Sequence, residues 1–426
     1  MTAKLSNKYE FVSSPANYSS FFSRYEQGII ETDAASRTLL CADPLTVPPP
    51  CGVNLFFGFF FDGTNSNLKR DLPNQSHSNV ARLYRAYPGQ AFGSQSGDVS
   101  WPDTEQNKTH FKIYIPGVGT RFDEVQDRSD PRDTTWFASN DRIRGLAMAY
   151  KGESRIIWAL VQVVNNLARY LSGRPIVNDA EFIEQFLSLQ LFRYKTFSNT
   201  DTSILAPREA FDQAFKKLLD RLKQQFAAQL QTPDGSKPAN MDKGHVKNIY
   251  LSVFGFSRGS TMARVFTYWL GEVLKLDKAG ALGNIPVTID FVGLFDTVAS
   301  VGLANSFLNI PDGHQAWADC EVSMRIPDYV KKCLHLVSAH EVRRSFPLDS
   351  VGVKGTMPAQ CEEIVLPGVH SDVGGRLLAG GTGPGNGCGG QRHAVPHTAG
   401  DDVPPSAAGW CAAAARASRY RHAADV

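Results

Sequence analysis

No apolar run in the 426-residue chain approaches the roughly 18 residues that a membrane-crossing helix needs; the longest is Leu55 to Phe61. The chain is therefore expected not to cross a bilayer, while docking on a membrane surface stays open. The N-terminus, Met1-Thr2-Ala3-Lys4-Leu5-Ser6-Asn7-Lys8, lacks the apolar segment of a secretory signal. Cytoplasmic synthesis is expected, followed by retention there or by export of the whole chain along a route that reads no cleavable signal. Charge of one sign is also missing: 44 Lys plus Arg stand against 42 Asp plus Glu, and basic runs stop at pairs such as Lys216-Lys217 and Arg343-Arg344. That balance argues against a nucleic-acid partner held by phosphate neutralisation. The seven cysteines (41, 51, 320, 333, 361, 388 and 411) include no C-x-x-C pair, and they are expected to be mostly reduced and buried. There is no H-E-x-x-H or clustered zinc-ligand spacing, no phosphate-cradling glycine motif and no internal repeat. A calcium loop around Asp123 to Asp133 competes with plain solvated carboxylates, and no cofactor is expected.

What is present reads as an α/β protein. Strand candidates are Asn54 to Phe61, Phe111 to Ile115, Lys247 to Phe254, Val287 to Phe295, Cys333 to Ser338 and Glu362 to Leu366. Helical patterns lie between them at Asn79 to Tyr87, Arg155 to Leu171 and Arg208 to Leu230, the last with Phe211, Phe215, Leu218, Leu219, Leu222 and Phe226 at helical spacing. Strands apolar nearly throughout and separated by helices imply a mostly parallel sheet with helices on both faces, an α/β-hydrolase-like arrangement. Residues 1–50 end in Val47-Pro48-Pro49-Pro50 and read as an irregular leader. The catalytic domain is expected over 51–375, with a helical insertion at about 136–230 that could serve as a lid. The last 51 residues, Arg376 to Val426, carry 9 Gly and 12 Ala but no Phe, Ile, Lys, Glu or Met; they read as disordered or as the product of a shifted reading frame.

Gly255-Phe256-Ser257-Arg258-Gly259 follows one strand candidate and precedes a helical run from Ser260 to Leu276, the context of a nucleophile elbow. The sharp turn needs small residues on either side of an exposed serine hydroxyl. In such a fold the acid and the histidine follow on loops leaving the carboxyl ends of later strands. Asp296, directly after Phe295, and His370, just beyond Leu366, stand in that order. His370 would take the Ser257 proton, and Asp296 would hold the imidazole tautomer. Competing histidines are His340 and His335, the latter inside an apolar strand and better read as a core histidine. Asp296 could instead be a helix cap, and Asp372, Glu341 and Asp349 are alternative acids.

Acyl transfer also needs donors for the oxyanion. One is the backbone NH of Arg258. The other is expected from Asp62-Gly63-Thr64-Asn65, through the NH of Gly63 or Thr64, with Asp62 bracing the loop or forming a simple Asx turn. Ile115-Pro116-Gly117-Val118-Gly119-Thr120 could line the site. Phe56, Phe57, Phe59, Phe60 and Phe61 read as core before acyl pocket.

Taken in order, Phe60-Phe61-Asp62-Gly63-Thr64-Asn65, Pro116-Gly117-Val118-Gly119-Thr120, Gly255-Phe256-Ser257-Arg258-Gly259, Phe295-Asp296-Thr297-Val298 and His370-Ser371-Asp372-Val373-Gly374-Gly375 resemble the catalytic domain of the first type VI secretion lipase effector family. The resemblance covers about residues 50 to 375. It implies an α/β-hydrolase phospholipase of A1 or A2 type with Ser257, Asp296 and His370 as its triad, acting on membrane phospholipids after type VI secretion to a rival's envelope. It also implies a secretion-apparatus component and an immunity protein as partners. Members of that family continue beyond the histidine motif, whereas this chain passes into its Gly/Ala tail. The alternatives are an esterase of small soluble esters and a truncated, inactive interaction protein.

Overall fold

The computed structural model describes residues 52–94, 108–130, 141–142, 149, 151–189, 205–230, 245–299, 318, 322–343 and 347–375. The leader 1–50 and the tail 376–426 lie outside these residues, as do parts of the expected insertion. Seven strands form one parallel sheet: β1 (Gly52–Phe61), β2 (Gln90–Phe92), β3 (His110–Ile115), β4 (His245–Phe256), β6 (Ile285–Phe295), β7 (Cys333–Ser338) and β8 (Cys361–Leu366). Their order is β2-β3-β1-β4-β6-β7-β8, and the two-residue β5 (Ala281–Leu282) pairs antiparallel with the start of β6.

Helices cover both faces. On one lie α3 (Gly152–Ser172), α5 (Leu205–Gln225) and α6 (Arg258–Lys275). The other carries α2 (Asn79–Ala86) and the short α7 (His370–Gly374), while α1 (Leu68–Asp71) and α4 (Asp179–Gln185) are small additions in the connections. The phenylalanines of β1 divide by strand alternation. Phe57, Phe59 and Phe61 enter the core beneath α3 and α6, and Phe60 points to the α2 side, stacked on Phe254 at 5.0 Å. All four are fully buried and so belong to the core, each worth about 1.5–3 kcal/mol in removal from water. Phe56 is only partly buried and stacks between His110 and Tyr250.

In α3, every residue from Arg155 to Ala168 is buried, against β1, β3 and α6. A helix so enclosed is a fixed layer of the core, so a lid reading of the 136–230 region cannot extend to α3. The expected helix from Arg208 to Leu230 ends at Gln225, and Phe226 and Leu230 remain buried in the turns that follow.

On β3, Lys112 is buried with its Nζ donating to the carbonyls of Tyr84 (3.2 Å) and Tyr87 (2.8 Å), which closes the C-terminal end of α2. Burial, with the nearby Arg85 charge, lowers its pKa to about 7. An unfolded lysine keeps its proton to about 10.4. The unfolded chain therefore binds more protons between about pH 7 and that value, and this lysine makes stability rise with pH across the window, by at most about 1.4 kcal/mol per pH unit. Urea unfolding from pH 7 to 10 should show that rise, and Lys112→Met should flatten it. An unchanged slope in the variant would refute the assignment.

Because seven strands run parallel, their carboxyl ends share one edge of the sheet. Asp62, Pro116, Ser257, Asp296, the Ala339-His340-Glu341 turn and the Pro367 to His370 loop are delivered there together.

Candidate active site

Ser257 occupies the turn between β4 and α6 with φ 56° and ψ −125°, a conformation that non-glycine residues seldom adopt. The two elbow glycines have separate steric reasons. A Cβ on Gly255 would lie 2.5 Å from Ser260 Cα in the following helix, and one on Gly259 would lie 2.2 Å from the Phe61 carbonyl oxygen at the end of β1. The elbow is thus seated directly on the Asp62-Gly63 loop. Its backbone is tied to β6 as well, with Ser257 NH donating to Phe295 O at 2.9 Å and Ser260 Oγ donating to the same carbonyl at 3.1 Å. The Ser257 hydroxyl is buried and makes no hydrogen bond among the described residues.

Asp296 and His370 come together. His370 Nδ1 lies 2.6 Å from Asp296 Oδ2, and both side chains are buried. Asp296 also accepts from Ser338 NH and Ser338 Oγ, each at 2.8 Å. Burial alone would raise the Asp296 pKa, but the hydrogen bonds from His370 and Ser338 outweigh it and hold the carboxyl below its ordinary value. The carboxylate therefore stays ionised and fixes Nδ1 as the protonated nitrogen, leaving Nε2 as the proton acceptor. Asp296 itself sits at φ 44°, a second strained position at a strand end.

The imidazole of His370 rests against the ring of Phe256, the residue before Ser257, at 4.8 Å between centroids. Phe256 fits only because Gly63 and Gly374 lack side chains; a Cβ on either would come within 2.3 Å of its ring. From α2, Asn79 Nδ2 donates to Val373 O at 2.9 Å, and Glu341 accepts from the His370 backbone NH at 3.2 Å. The histidine loop is held by these contacts from three elements.

The competing histidines have other duties. His340 exchanges hydrogen bonds with Gly368 at 3.0 Å and braces the loop before His370. His335 is fully buried in β7, between Thr297 and Glu363. Among the alternative acids, Asp372 caps Val369 NH, Glu341 pairs with Arg343, and Asp349 accepts from Ala299 NH. None of the three is hydrogen-bonded to the His370 ring in this structure.

Asp62 is a structural hub. Its carboxylate accepts from Gly63 NH (2.7 Å), Ser78 Oγ (2.6 Å) and Tyr114 OH (2.5 Å), and burial nevertheless raises its pKa. The Gly63 NH, one of the two NH groups expected as oxyanion donors from this loop, is thus directed at Asp62. Gly117 packs against the same loop, where a Cβ would lie 1.7 Å from Gly63 O. Arg155 holds the Gly117 turn from below by donating to Pro116 O (3.0 Å) and Thr120 O (2.8 Å), and it pairs with Asp127 at 2.9 Å. Asp127 is fully buried, so its carboxylate is neither solvated nor part of a metal cluster among the described residues.

Residues 272–383, which contain Asp296 and His370 but not Ser257, match the family model described as T6SS, Phospholipase effector Tle1-like, catalytic domain. A crystal structure of an uncharacterized protein from Pseudomonas aeruginosa is similar at 30% identity over 82% of this chain and 44% of that one, with a TM-score of 0.56. The Tle1 effector bound to the VgrG spike of the type 6 secretion system also matches, at 20% identity over 77% of this chain and 52% of that one, with a TM-score of 0.37. The chain thus spans about half the length of these solved structures, or less. No curated protein matches it. The mostly parallel sheet carries the expected α/β fold, and in residues 272–383 this chain is similar to the catalytic domain of the type VI secretion phospholipase effectors.

Proposed function

We propose that this chain is a serine-dependent phospholipase of A type that hydrolyses carboxylic esters of membrane phospholipids. The observation that carries the reading is the buried His370–Asp296 pair at 2.6 Å, delivered to the same sheet edge as a strained serine elbow. Rotation of the Ser257 side chain brings its Oγ to His370 Nε2, which takes the hydroxyl proton as Oγ attacks the ester carbonyl. The oxyanion is received by the NH of Arg258 and by the Asp62-Thr64 loop, through the NH of Gly63 or Thr64. Collapse expels the lysophospholipid alkoxide, protonated by His370, and leaves an acyl-serine. Water, deprotonated by His370, then releases the fatty acid and restores Ser257.

The site needs no cofactor for these steps. The route by which the enzyme would meet lipid is type VI secretion to the envelope of a rival cell, with a spike component and an immunity protein as partners, in keeping with the match over residues 272–383. No helix among the described residues is long and apolar enough to span a membrane, and transient surface contact is the proposed mode of access.

A fluorophosphonate probe followed by peptide mass spectrometry tests the nucleophile. The adduct is expected on Ser257, and labelling of any other serine would sink the assignment. Vesicles of phosphatidylethanolamine and phosphatidylglycerol with different acyl chains at the two positions would then report which ester is cut.

A further inference from the structure

Besides the Asp296–His370 pair there is a second histidine–carboxylate pair, between a fully buried His335 and a part-buried Glu363. His335 on β7 is fully buried, and its Nδ1 lies 2.9 Å from Glu363 Oε1 on β8. Its Nε2 accepts from the backbone NH of Thr297 at 3.0 Å and lies 3.0 Å from Thr297 Oγ1. These contacts settle the tautomer, because a nitrogen that accepts from a backbone NH carries no proton and the proton must sit on Nδ1, facing Glu363. Glu363 is itself fixed by Val351 NH (2.8 Å) and Ser350 Oγ (3.0 Å). Burial lowers the His335 pKa against the opposing pull of Glu363, so the ring stays neutral and Nε2 keeps its lone pair.

Thr297 directly follows Asp296, which is held at φ 44°. Its NH is buried at the start of the turn that leaves β6, and a buried NH without an acceptor would favour a different turn. The remaining backbone of this turn is also tied down: Thr297 O accepts from Asp349 NH at 2.9 Å, and Val298 NH donates to Ser257 O at 3.3 Å.

We infer that His335 and Glu363 are positioning residues for the acid of the triad: neutral His335, oriented by Glu363, supplies the acceptor that holds Thr297 and thereby fixes the strained Asp296 carboxylate against His370. The inference rests on the triad reading for its catalytic consequence, while its geometric content stands apart from turnover.

The test uses His335→Leu, which removes both hydrogen bonds, and His335→Gln, whose planar amide retains one acceptor and one donor. Two readouts are needed. The first is the far-downfield proton resonance of the His370 Nδ1–H···Asp296 hydrogen bond, which requires no activity. It should be lost or displaced in His335→Leu and retained in His335→Gln. The second is phospholipid hydrolysis: kcat should fall about 100-fold in His335→Leu with KM nearly unchanged, the scale expected for misplacing a catalytic group by about 1 Å. His335→Gln should recover most of that loss. In an Asp296→Asn background His335→Leu should cost no more than about twofold, because both changes break one unit.

An unaltered resonance in folded His335→Leu, or a loss fully additive with Asp296→Asn, would overturn the inference. Should His335→Leu fail to fold, an unaltered resonance and kcat in Glu363→Ala would overturn it instead. Should the resonance respond as expected while Ser257→Ala leaves hydrolysis intact, the catalytic reading fails and the positioning geometry survives.

Discussion

Replacement of Ser257 by alanine is expected to lower fatty-acid release from phosphatidylethanolamine and phosphatidylglycerol vesicles by about six orders of magnitude, the scale seen when a serine hydrolase loses its nucleophile. The elbow makes this a clean substitution. Ser257 reaches its neighbours through backbone, to Phe295 O and from Val298 NH, and its hydroxyl makes no hydrogen bond among the described residues. Alanine at the same φ leaves those ties in place, so fold and lipid affinity should be kept while the bond-forming atom is gone. His370→Ala should cost about as much, and the double variant little more, because nucleophile and base act as one unit. Release that persists in Ser257→Ala would refute the serine mechanism. A wild type that is silent on vesicles yet cleaves a short soluble ester would move the substrate to small esters. A folded wild type silent on both, with no probe adduct on Ser257, would mark an inactive interaction protein.

The sequence pattern reached the sheet because its chemistry is local. Each of the six strand candidates is a run of apolar or β-branched residues, and each is found in the structure within two residues at either end. The shortest elements escaped it. β2 and β5 have three and two residues and are stabilised by pairing rather than by any pattern of their own. α4 did leave a trace, since Asn178 caps Glu181 NH and a glutamate three residues after an N-cap is a helix-start signature, but within the expected insertion at about 136–230 it was not singled out as an element. The placement of Ser257, Asp296 and His370 at one sheet edge was readable because elbow spacing and strand-end position constrain them jointly. What packs behind them was not readable. That Gly63 NH turns to Asp62, that Phe256 supports His370, and that His335 accepts from Thr297 are matters of side-chain direction across strands far apart in sequence. Asp127 is the plainest case. In a string of loop residues it reads as a solvated carboxylate, and only the fold brings it to Arg155, 28 positions away.

That pair gives the second large effect: Asp127→Ala should destabilise the protein by about 3–5 kcal/mol, the usual result of leaving a buried charge without its partner. Both side chains are fully buried, and Asp127 Oδ1 additionally accepts from Ser129 NH at 3.0 Å and Ser129 Oγ at 2.6 Å. In the variant the Arg155 guanidinium keeps its carbonyl partners, Pro116 O and Thr120 O, but no compensating negative charge remains beside it. A fall in Tm of roughly 4–7 °C follows for a domain of this size, measurable by calorimetry or circular dichroism. Replacing both members, Arg155→Met with Asp127→Leu, should be milder than the single change, because an apolar pair of similar volume carries no desolvation cost. Activity should report the same brace. Arg155 holds the Gly117 turn, Gly117 lies against Gly63 O, and that loop faces the elbow through Gly259. Asp127→Ala should therefore lower kcat even well below its transition temperature, by loosening the loop proposed to supply an oxyanion donor. A variant that melts within 1 °C of wild type would show that water or another group replaces the carboxylate. One that melts early yet keeps full kcat while folded would separate the brace from the chemistry and leave the Arg155–Asp127 pair as a determinant of stability alone.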